Sequence, residues 1–301
     1  MRTKGRGTSS KINGRYLEFT REDQADGWFE DEDGRSTLTS VTVERPRTII
    51  SKNQSPDIPF EQSINPYRGC EHGCIYCYAR PTHAYLDLSP GIDFETRLFA
   101  KDNADELLRR ELSRPAYRCR PIAMGTNTDP YQPVERERRI TRRIIEVLLE
   151  CRHPLTIVTK SRLVERDIDL LAPMAERNLV TIALTVTTLD HDLARRLEPR
   201  AGAPLRRLEC IRKLHEAGIP VGVMAAPVIP FLNDTEMESI LQTAAQAGAE
   251  FAGYIMLRLP LEIKTLFREW LQQHFPLKAG HVMIMVRDIR GGKDNDPQFF
   301  S

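Results

Sequence analysis

Three of the chain's six cysteines fall within eight residues, at Cys70, Cys74 and Cys77 of INPYRGCEHGCIYCYARPTHAYL, a stretch that begins at Ile64. No other feature of the 301 residues constrains the fold and chemistry as strongly. Thiolate sulfur is a soft ligand suited to zinc, Cu(I) or iron–sulfur clusters. Whether crowded thiols mean metal or disulfide depends on the compartment. The N-terminal MRTKGRGTSSKINGRY is basic but has no apolar core behind it, so it does not read as a secretory signal. The sequence holds no run of about 18 apolar residues, so no membrane span is expected. The chain is therefore expected in the cytoplasm, where thiols stay reduced and the trio points to metal or redox chemistry.

The surrounding pattern sets the frame that carries the trio. Short apolar runs alternate with amphipathic helical repeats from about residue 60 onward. The runs are PIAMG (121–125), LTIVT (155–159), VTIALTVT (180–187), VGVMAA (221–226) and FAGYIML (251–257). Several are continuously apolar, which suits strands buried on both faces of a parallel sheet. Ile140, Ile144, Val147 and Leu148 recur at helical spacing, as do Leu205, Leu208, Ile211 and Leu214, with Gly218 placed to end the second helix. Thr235 and Glu238 form a capping-box pattern before Met237, Ile240, Leu241 and Ala244. A short strand before Cys70 would be the first of the series. Strand and helix alternating five or six times argue for a parallel α/β architecture with its chemistry at the strands' C-terminal ends.

Residues 1–58 form a polar extension, read as irregular through REDQADGWFEDEDGRS, with VTVERPRTII (41–50) as the part pinned to the fold. HVMIMV (281–286) is expected to be a last strand-like segment. The division that follows is 1–58 extension, 59–275 barrel and 276–301 C-terminal segment. Lys and Arg number 43 against 42 Asp and Glu, so no global attraction to nucleic acid or an anionic membrane is expected. RERRITRR (136–143) could still place a local cationic patch on phosphate, or simply face solvent.

The thiols alone leave alternatives open. Tetrahedral zinc needs four ligands, and His72 or His83 could complete a Cys3His knuckle in a non-catalytic nucleic-acid-binding module. A 4Fe–4S cluster held by three thiolates would keep one iron free for a cofactor. Three buried thiols without any metal are the third possibility.

CxxxCxxC with a tyrosine on either side of the last cysteine resembles the radical S-adenosylmethionine (SAM) superfamily. NPYRGCEHGCIYCYAR, GTNTDPYQPVE (125–135), VTKS (158–161), VTTLD (186–190) and LEPR (197–200) narrow the resemblance to its spore photoproduct lyase-like branch, from about residue 60 to about 290. The resemblance implies a partial (β/α)6 TIM-type barrel, a 4Fe–4S cluster on Cys70, Cys74 and Cys77, and SAM on the open iron. It further implies reductive cleavage of SAM to a 5′-deoxyadenosyl radical, with a small electron donor such as flavodoxin or ferredoxin. Thr128 and Asp129 match polar contacts to SAM. Lys160 matches a lysine near its methionine carboxylate, or is a lysine at a strand end. Thr185 matches a small hydroxyl residue near SAM, or fills a strand. Glu198 and Arg200 would bind the SAM ribose or anchor the next loop. Tyr76 and Tyr78 match tyrosines implicated in hydrogen-atom relay, with aromatic packing beside the cluster as the other role for Tyr76.

Two departures limit the analogy. The branch carries a hydrogen-donor cysteine where this chain reads MGTNTDP, with Gly125 and Thr126 and no thiol, and Cys119 lies upstream of that strand. Repair of spore photoproduct is therefore not implied; a nucleic acid or nucleotide substrate is the expectation by analogy. The branch also continues for several tens of residues beyond RGGKDNDPQFFS, so the C-terminal segment reads as shortened. Cys119, Cys151 and Cys210 are isolated, which argues against a second cluster, and Cys151 is expected in the core.

Overall fold

The computed structural model describes residues 6–8, 10, 12, 14–16, 38–54 and 58–292. Ten strands form in chain order: β1 (Ser40–Glu44), β2 (Ile50–Lys52), β3 (Gln62–Ile64), β4 (Tyr67–Arg68), β5 (Arg97–Lys101), β6 (Ile122–Met124), β7 (Leu155–Thr159), β8 (Val180–Thr185), β9 (Val221–Val228) and β10 (Phe251–Met256). The main sheet has the order β10-β9-β8-β7-β6-β3-β2. From β3 to β10 its six strands run parallel and lie side by side in chain order, and β2 adds an antiparallel edge. Successive parallel strands added on the same side need crossovers of one hand, which keeps the intervening helices on a single face. The result is the expected partial (β/α)6 barrel. A second small sheet, β1-β5-β4, stands beside it. Both β1 and β2 come from VTVERPRTII and its flanks, so this part of the extension is pinned to the fold, while REDQADGWFEDEDGRS lies outside the described residues.

Alternation along each strand separates two faces. Ile122, Met124, Leu155, Ile157, Ile182, Leu184, Val221 and Val223 pack against the helices in one core. The opposite face is built in register rows: Ser63, Ala123, Thr156 and Thr181 in one, and Val158, Ala183, Gly222 and Phe251 in the next. Ser63, Ala123 and Ala183 are buried there, so β3, β6 and most of β8 are buried on both faces as expected. The expectation fails on β7, where Thr156 is exposed and Val158 is 36% exposed.

Helices cover the sheet as the repeats require. Among the described residues ten form in chain order: α1 (Ile92–Thr96), α2 (Ala104–Leu112), α3 (Glu135–Arg138), α4 (Ile140–Glu150), α5 (Ile168–Ala175), α6 (His191–Leu197), α7 (Pro204–Glu216), α8 (Met237–Gln246), α9 (Ile263–His274) and α10 (Ala279–Asp288). Gly218, at φ +71°, follows α7, and Ile219 N–H closes on the Leu214 carbonyl at 3.0 Å. Three local expectations are corrected. HVMIMV is part of α10, because Val282, Met283 and Val286 are buried at helical spacing while Ile284 is 55% exposed. Thr235 makes no cap; it sits in a short 3-10 turn, and α8 begins without a side-chain capping bond. Cys151 is exposed, because α4 ends at Glu150 and turns it outward.

A second core lies across the ends of the strands. It joins Cys74, Ile75 and Tyr76 to Leu193 and Leu197 of α6 and to Phe267, Trp270 and Val282 of α9 and α10. Thus the C-terminal helices pack directly on the cysteine loop. Among the described residues, no helix is long and apolar enough to cross a membrane.

Candidate active site

The cysteine loop follows β3 and β4 and returns on itself. Gly73 N–H donates to the Cys70 carbonyl at 3.4 Å and Cys77 N–H to the Cys74 carbonyl at 3.2 Å. Gly73 has φ +66°, a conformation that costs glycine nothing. Cys70 and Cys74 are each 7% exposed, Cys77 is half-buried, and none is in a disulfide.

Two side chains hold this loop, and neither stood out in the sequence. Arg80 is fully buried and spends all its side-chain N–H donors tying the cysteine loop to Pro90, Gly91 and Glu95. It donates to the carbonyls of Cys74 (2.9 Å), Gly73 (3.1 Å), Pro90 (3.2 Å) and Gly91 (2.9 Å), and to Oε1 of Glu95 (2.6 Å). Gln132, also fully buried, donates from Nε2 to the Gly69 carbonyl at 3.1 Å and accepts from Glu71 N–H at 2.9 Å. Position 80 ends CYAR, three residues after Cys77, and that spacing was the available signal. Nothing local marked Gln132.

On the Cys74 side, Glu198 gathers several of the expected residues. Its buried carboxylate accepts from the Tyr76 hydroxyl, from Thr187 Oγ1 at 2.5 Å and from Arg207, and lies 3.9 Å from Lys160 Nζ. Lys160 Nζ also stands 5.8 Å from the Tyr76 ring centroid. Burial alone would raise the Glu198 pKa, but the charges of Arg207 and Lys160 and the bonds from Thr187 and Tyr76 hold it at about 2. Thr185, buried at the end of β8, joins through its carbonyl, which accepts from Arg207 Nη1 at 2.9 Å.

Asp129 organises the Cys70 side. It accepts from Thr159 Oγ1 (2.7 Å), Tyr131 N–H (2.8 Å) and Lys160 N–H (2.8 Å), so it ties the loop after β6 to the end of β7. His72 Nδ1 lies 3.3 Å from Asp129 Oδ2, the oxygen that takes Lys160 N–H, without hydrogen-bond alignment. Against the raising effect of burial, His72 and these bonds hold Asp129 at about 2. The Thr128 hydroxyl is committed to the Tyr67 carbonyl at 3.1 Å. Tyr78 is 53% exposed and its hydroxyl donates to the Thr126 carbonyl, bridging the cysteine loop to the loop after β6.

Arg200 stands apart from both groups. It pairs with Glu71 at 2.8 Å, and its N–H donates to the His72 carbonyl at 3.2 Å, so it braces the outside of the cysteine loop. The arginine-rich segment is likewise occupied. Arg138 pairs with Asp102, Arg142 with Asp167 and Asp169, and Arg143 with Asp105. These pairs take three of the segment's five arginines, while Arg136 and Arg139 are exposed.

The trio fits a cluster better than a single ion. Among the described residues, no three His, Cys, Asp or Glu side chains converge where one ion could sit. Tetrahedral zinc would pull its ligands to about 2.3 Å from one centre, whereas a 4Fe–4S cluster takes each thiolate on a different iron. The proposed fourth zinc ligands also face elsewhere: His72 towards Asp129, and His83 Nε2 at 3.0 Å from the Arg97 carbonyl. Burial pushes the Cys70 and Cys74 thiols well up, reinforced by Asp129 and Glu198 respectively. Such thiols become thiolates only beside a strongly positive metal core.

Comparison with known proteins agrees with this geometry. The family model described as the Radical SAM superfamily matches residues 64–244. An uncharacterised protein of Mycobacterium tuberculosis is 40% identical over 221 residues, 73% of this chain and 65% of that protein. One from Methanocaldococcus jannaschii is 28% identical over 213 residues, 71% of this chain and 76% of that protein. Spore photoproduct lyase complexed with dinucleoside spore photoproduct superposes with a TM-score of 0.57 at 18% identity, over 79% of this chain and 66% of the lyase chain. The chain thus spans just under two thirds of the mycobacterial relative and of the lyase. With buried thiols at CxxxCxxC spacing on the first loop of a six-stranded parallel half-barrel, the chain belongs to the radical SAM superfamily, whose members use a 4Fe–4S cluster and S-adenosylmethionine.

Proposed function

We propose that this chain is a SAM-cleaving radical enzyme acting on a nucleic acid or nucleotide, reduced by a small electron carrier such as flavodoxin or ferredoxin. The observation that carries the reading is the trio of thiols, two buried and one half-buried, none in a disulfide, fixed by Arg80 and Gln132 beside the ends of the parallel strands. When bound, the cluster and SAM supply one-electron cleavage of the sulfonium, and with it a 5′-deoxyadenosyl radical. Cys70, Cys74 and Cys77 would hold the cluster.

The chain's own residues then do the positioning. Lys160 is 17% exposed in its side chain and offers a cation at the strand ends for a carboxylate. Tyr76 has its phenol O–H committed to buried Glu198, which favours packing over hydrogen-atom relay. Tyr78 is the more accessible phenol and the better candidate to pass a hydrogen atom. Asp129 and Glu198 act through backbone and side-chain anchors of these groups rather than on substrate.

The substrate class rests on two supports. The solved lyase with the same fold is complexed with a dinucleoside. On the sheet face away from the helix-packed core, Thr156 and Val158 of β7 are exposed and offer a bulky group a place to lie. The absent donor thiol makes the outcome differ from that lyase's: a cysteine at position 125 is sterically excluded, because a Cβ there would lie 1.9 Å from the Val158 carbonyl oxygen at φ +90°. The test is anaerobic reduction with dithionite in the presence of SAM and deuterated DNA, RNA or nucleotides. Deuterium entering 5′-deoxyadenosine from one of these pools is the expected result. 5′-Deoxyadenosine that never carries substrate deuterium from any of them would remove the nucleic-acid reading.

A further inference from the structure

Among the described residues, six that are not glycine have a left-handed backbone: Asp87, Arg139, Arg152, Asn178, Phe231 and Leu261. The first four are polar and lie at or just beyond the end of a helical segment, where that conformation is commonplace. Phe231 is the one aromatic of the six, at φ +61° in the turn after β9. A bulky side chain adopts this conformation only at a cost.

Packing does not account for that cost. Ile229 and Pro230 are buried, and Leu232 packs on the core that also holds Cys74 and Tyr76, yet Phe231 is 46% exposed. The turn itself is held firmly. Asn233, 4% exposed, accepts from Ile229 N–H at 2.6 Å and donates from Nδ2 to the carbonyls of Thr187 (2.6 Å) and Pro227 (3.0 Å). Thr187 Oγ1 in turn donates to Glu198 at 2.5 Å, so the turn is fastened to the group of residues beside Cys74. Loops after the strands of such a barrel are where substrates are met.

The surroundings of the ring indicate what it meets. Lys278 Nζ donates to the Phe231 carbonyl at 3.1 Å, and the His281 ring stands edge-on with its centroid 5.8 Å away. Among the described residues Lys278 makes no ion pair, and two of its three ammonium hydrogens remain for a ligand. An exposed aromatic face beside an unneutralised ammonium matches the alternation of base and phosphate along a single strand. A purely apolar partner would gain nothing from the ammonium.

We propose that Phe231 is a stacking platform for an unpaired base of a nucleic-acid substrate, with Lys278 on the adjoining phosphate. The inference rests on the nucleic-acid reading above and assigns it a contact residue.

The test is fluorescence anisotropy of labelled single strands of about 12 nucleotides, DNA and RNA, with the full chain. Glycine fits φ +61° better than phenylalanine, so the urea midpoint of Phe231→Gly should stand at or above the parent's. Its dissociation constant for the strand should nonetheless rise about tenfold. Phe231→Tyr keeps a ring and should bind within about twofold of the parent. Lys278→Gln should bind more weakly and flatten the slope of log affinity against log salt by about 0.7. Phe231→Gly binding within about twofold of the parent overturns the proposal, as does an equal loss in Phe231→Tyr. An unchanged salt slope in Lys278→Gln overturns the phosphate contact. Should the parent bind neither strand, the nucleic-acid reading itself falls and this contact with it; a parent that binds beside variants that bind equally well removes only the contact.

Discussion

At the residue scale, Glu198 shows what the sequence concealed. LEPR suggested that Glu198 and Arg200 together contact the ribose or anchor the next loop. The structure instead gives Glu198 to Arg207, on α7, and gives Arg200 to Glu71. A pairing nine positions apart across a turn leaves no local pattern; only burial reveals it. Arg207 is 1% exposed, so Glu198→Gln leaves a buried guanidinium without its counter-ion. The expected loss is about 3–5 kcal/mol in urea denaturation at neutral pH. The pH dependence has a definite sign. Glu198 is held at about 2 against an ordinary 4.5, so its contribution is complete above about 4.5 and is lost as pH falls through about 2. The gap between parent and variant should therefore narrow over that window; a constant gap would contradict the pairing. Gly125 is the second residue-scale case. Gly125→Cys would need both strained φ and displacement of the Val158 carbonyl, and should cost more than about 2 kcal/mol by the same measurement. The three cysteines, by contrast, were legible at once, because metal chemistry fixes their spacing.

At the scale of elements, the cysteine loop is ordered by one guanidinium rather than by regular secondary structure. Replacing Arg80 with Met leaves Glu95 charged and buried, and leaves four carbonyls without their donor. Arg80→Met should lose most of its iron after anaerobic reconstitution, and Arg80→Lys should retain part of it. Stoichiometric iron in Arg80→Met, with an unchanged visible absorption spectrum, would show that the loop needs no clamp. The later strands and helices α4, α7 and α8 were readable from periodicity, since β6, β7, β8 and β10 fall within their apolar runs and β9 runs two residues beyond its own. HVMIMV was not, because a six-residue apolar run fits a strand or a buried helix equally. Docking of α10 in the core that also holds Cys74 and Trp270 decides it.

For the whole molecule, strand–helix alternation was enough to expect a parallel half-barrel, and the chain order of the sheet follows from it. Two global features were not legible. One is the uncovered stretch of β7, since Thr156 and Val158 read in sequence as ordinary strand residues. The other is the N-terminal arm, whose polar composition gave no sign that Arg6 and Gly7 reach Glu95 behind the cysteines. The arm backs the cysteine loop at Gly73, and β7 keeps Thr156 and Val158 exposed. The central claim is that Cys70, Cys74 and Cys77 hold a 4Fe–4S cluster with one iron available to SAM. Electron paramagnetic resonance of the anaerobically reconstituted, dithionite-reduced chain tests it most directly. The account predicts a spin-half cluster signal whose g-values shift when SAM is added and which disappears in Cys74→Ala; a signal unmoved by SAM, or no cluster signal in the parent chain, would contradict it.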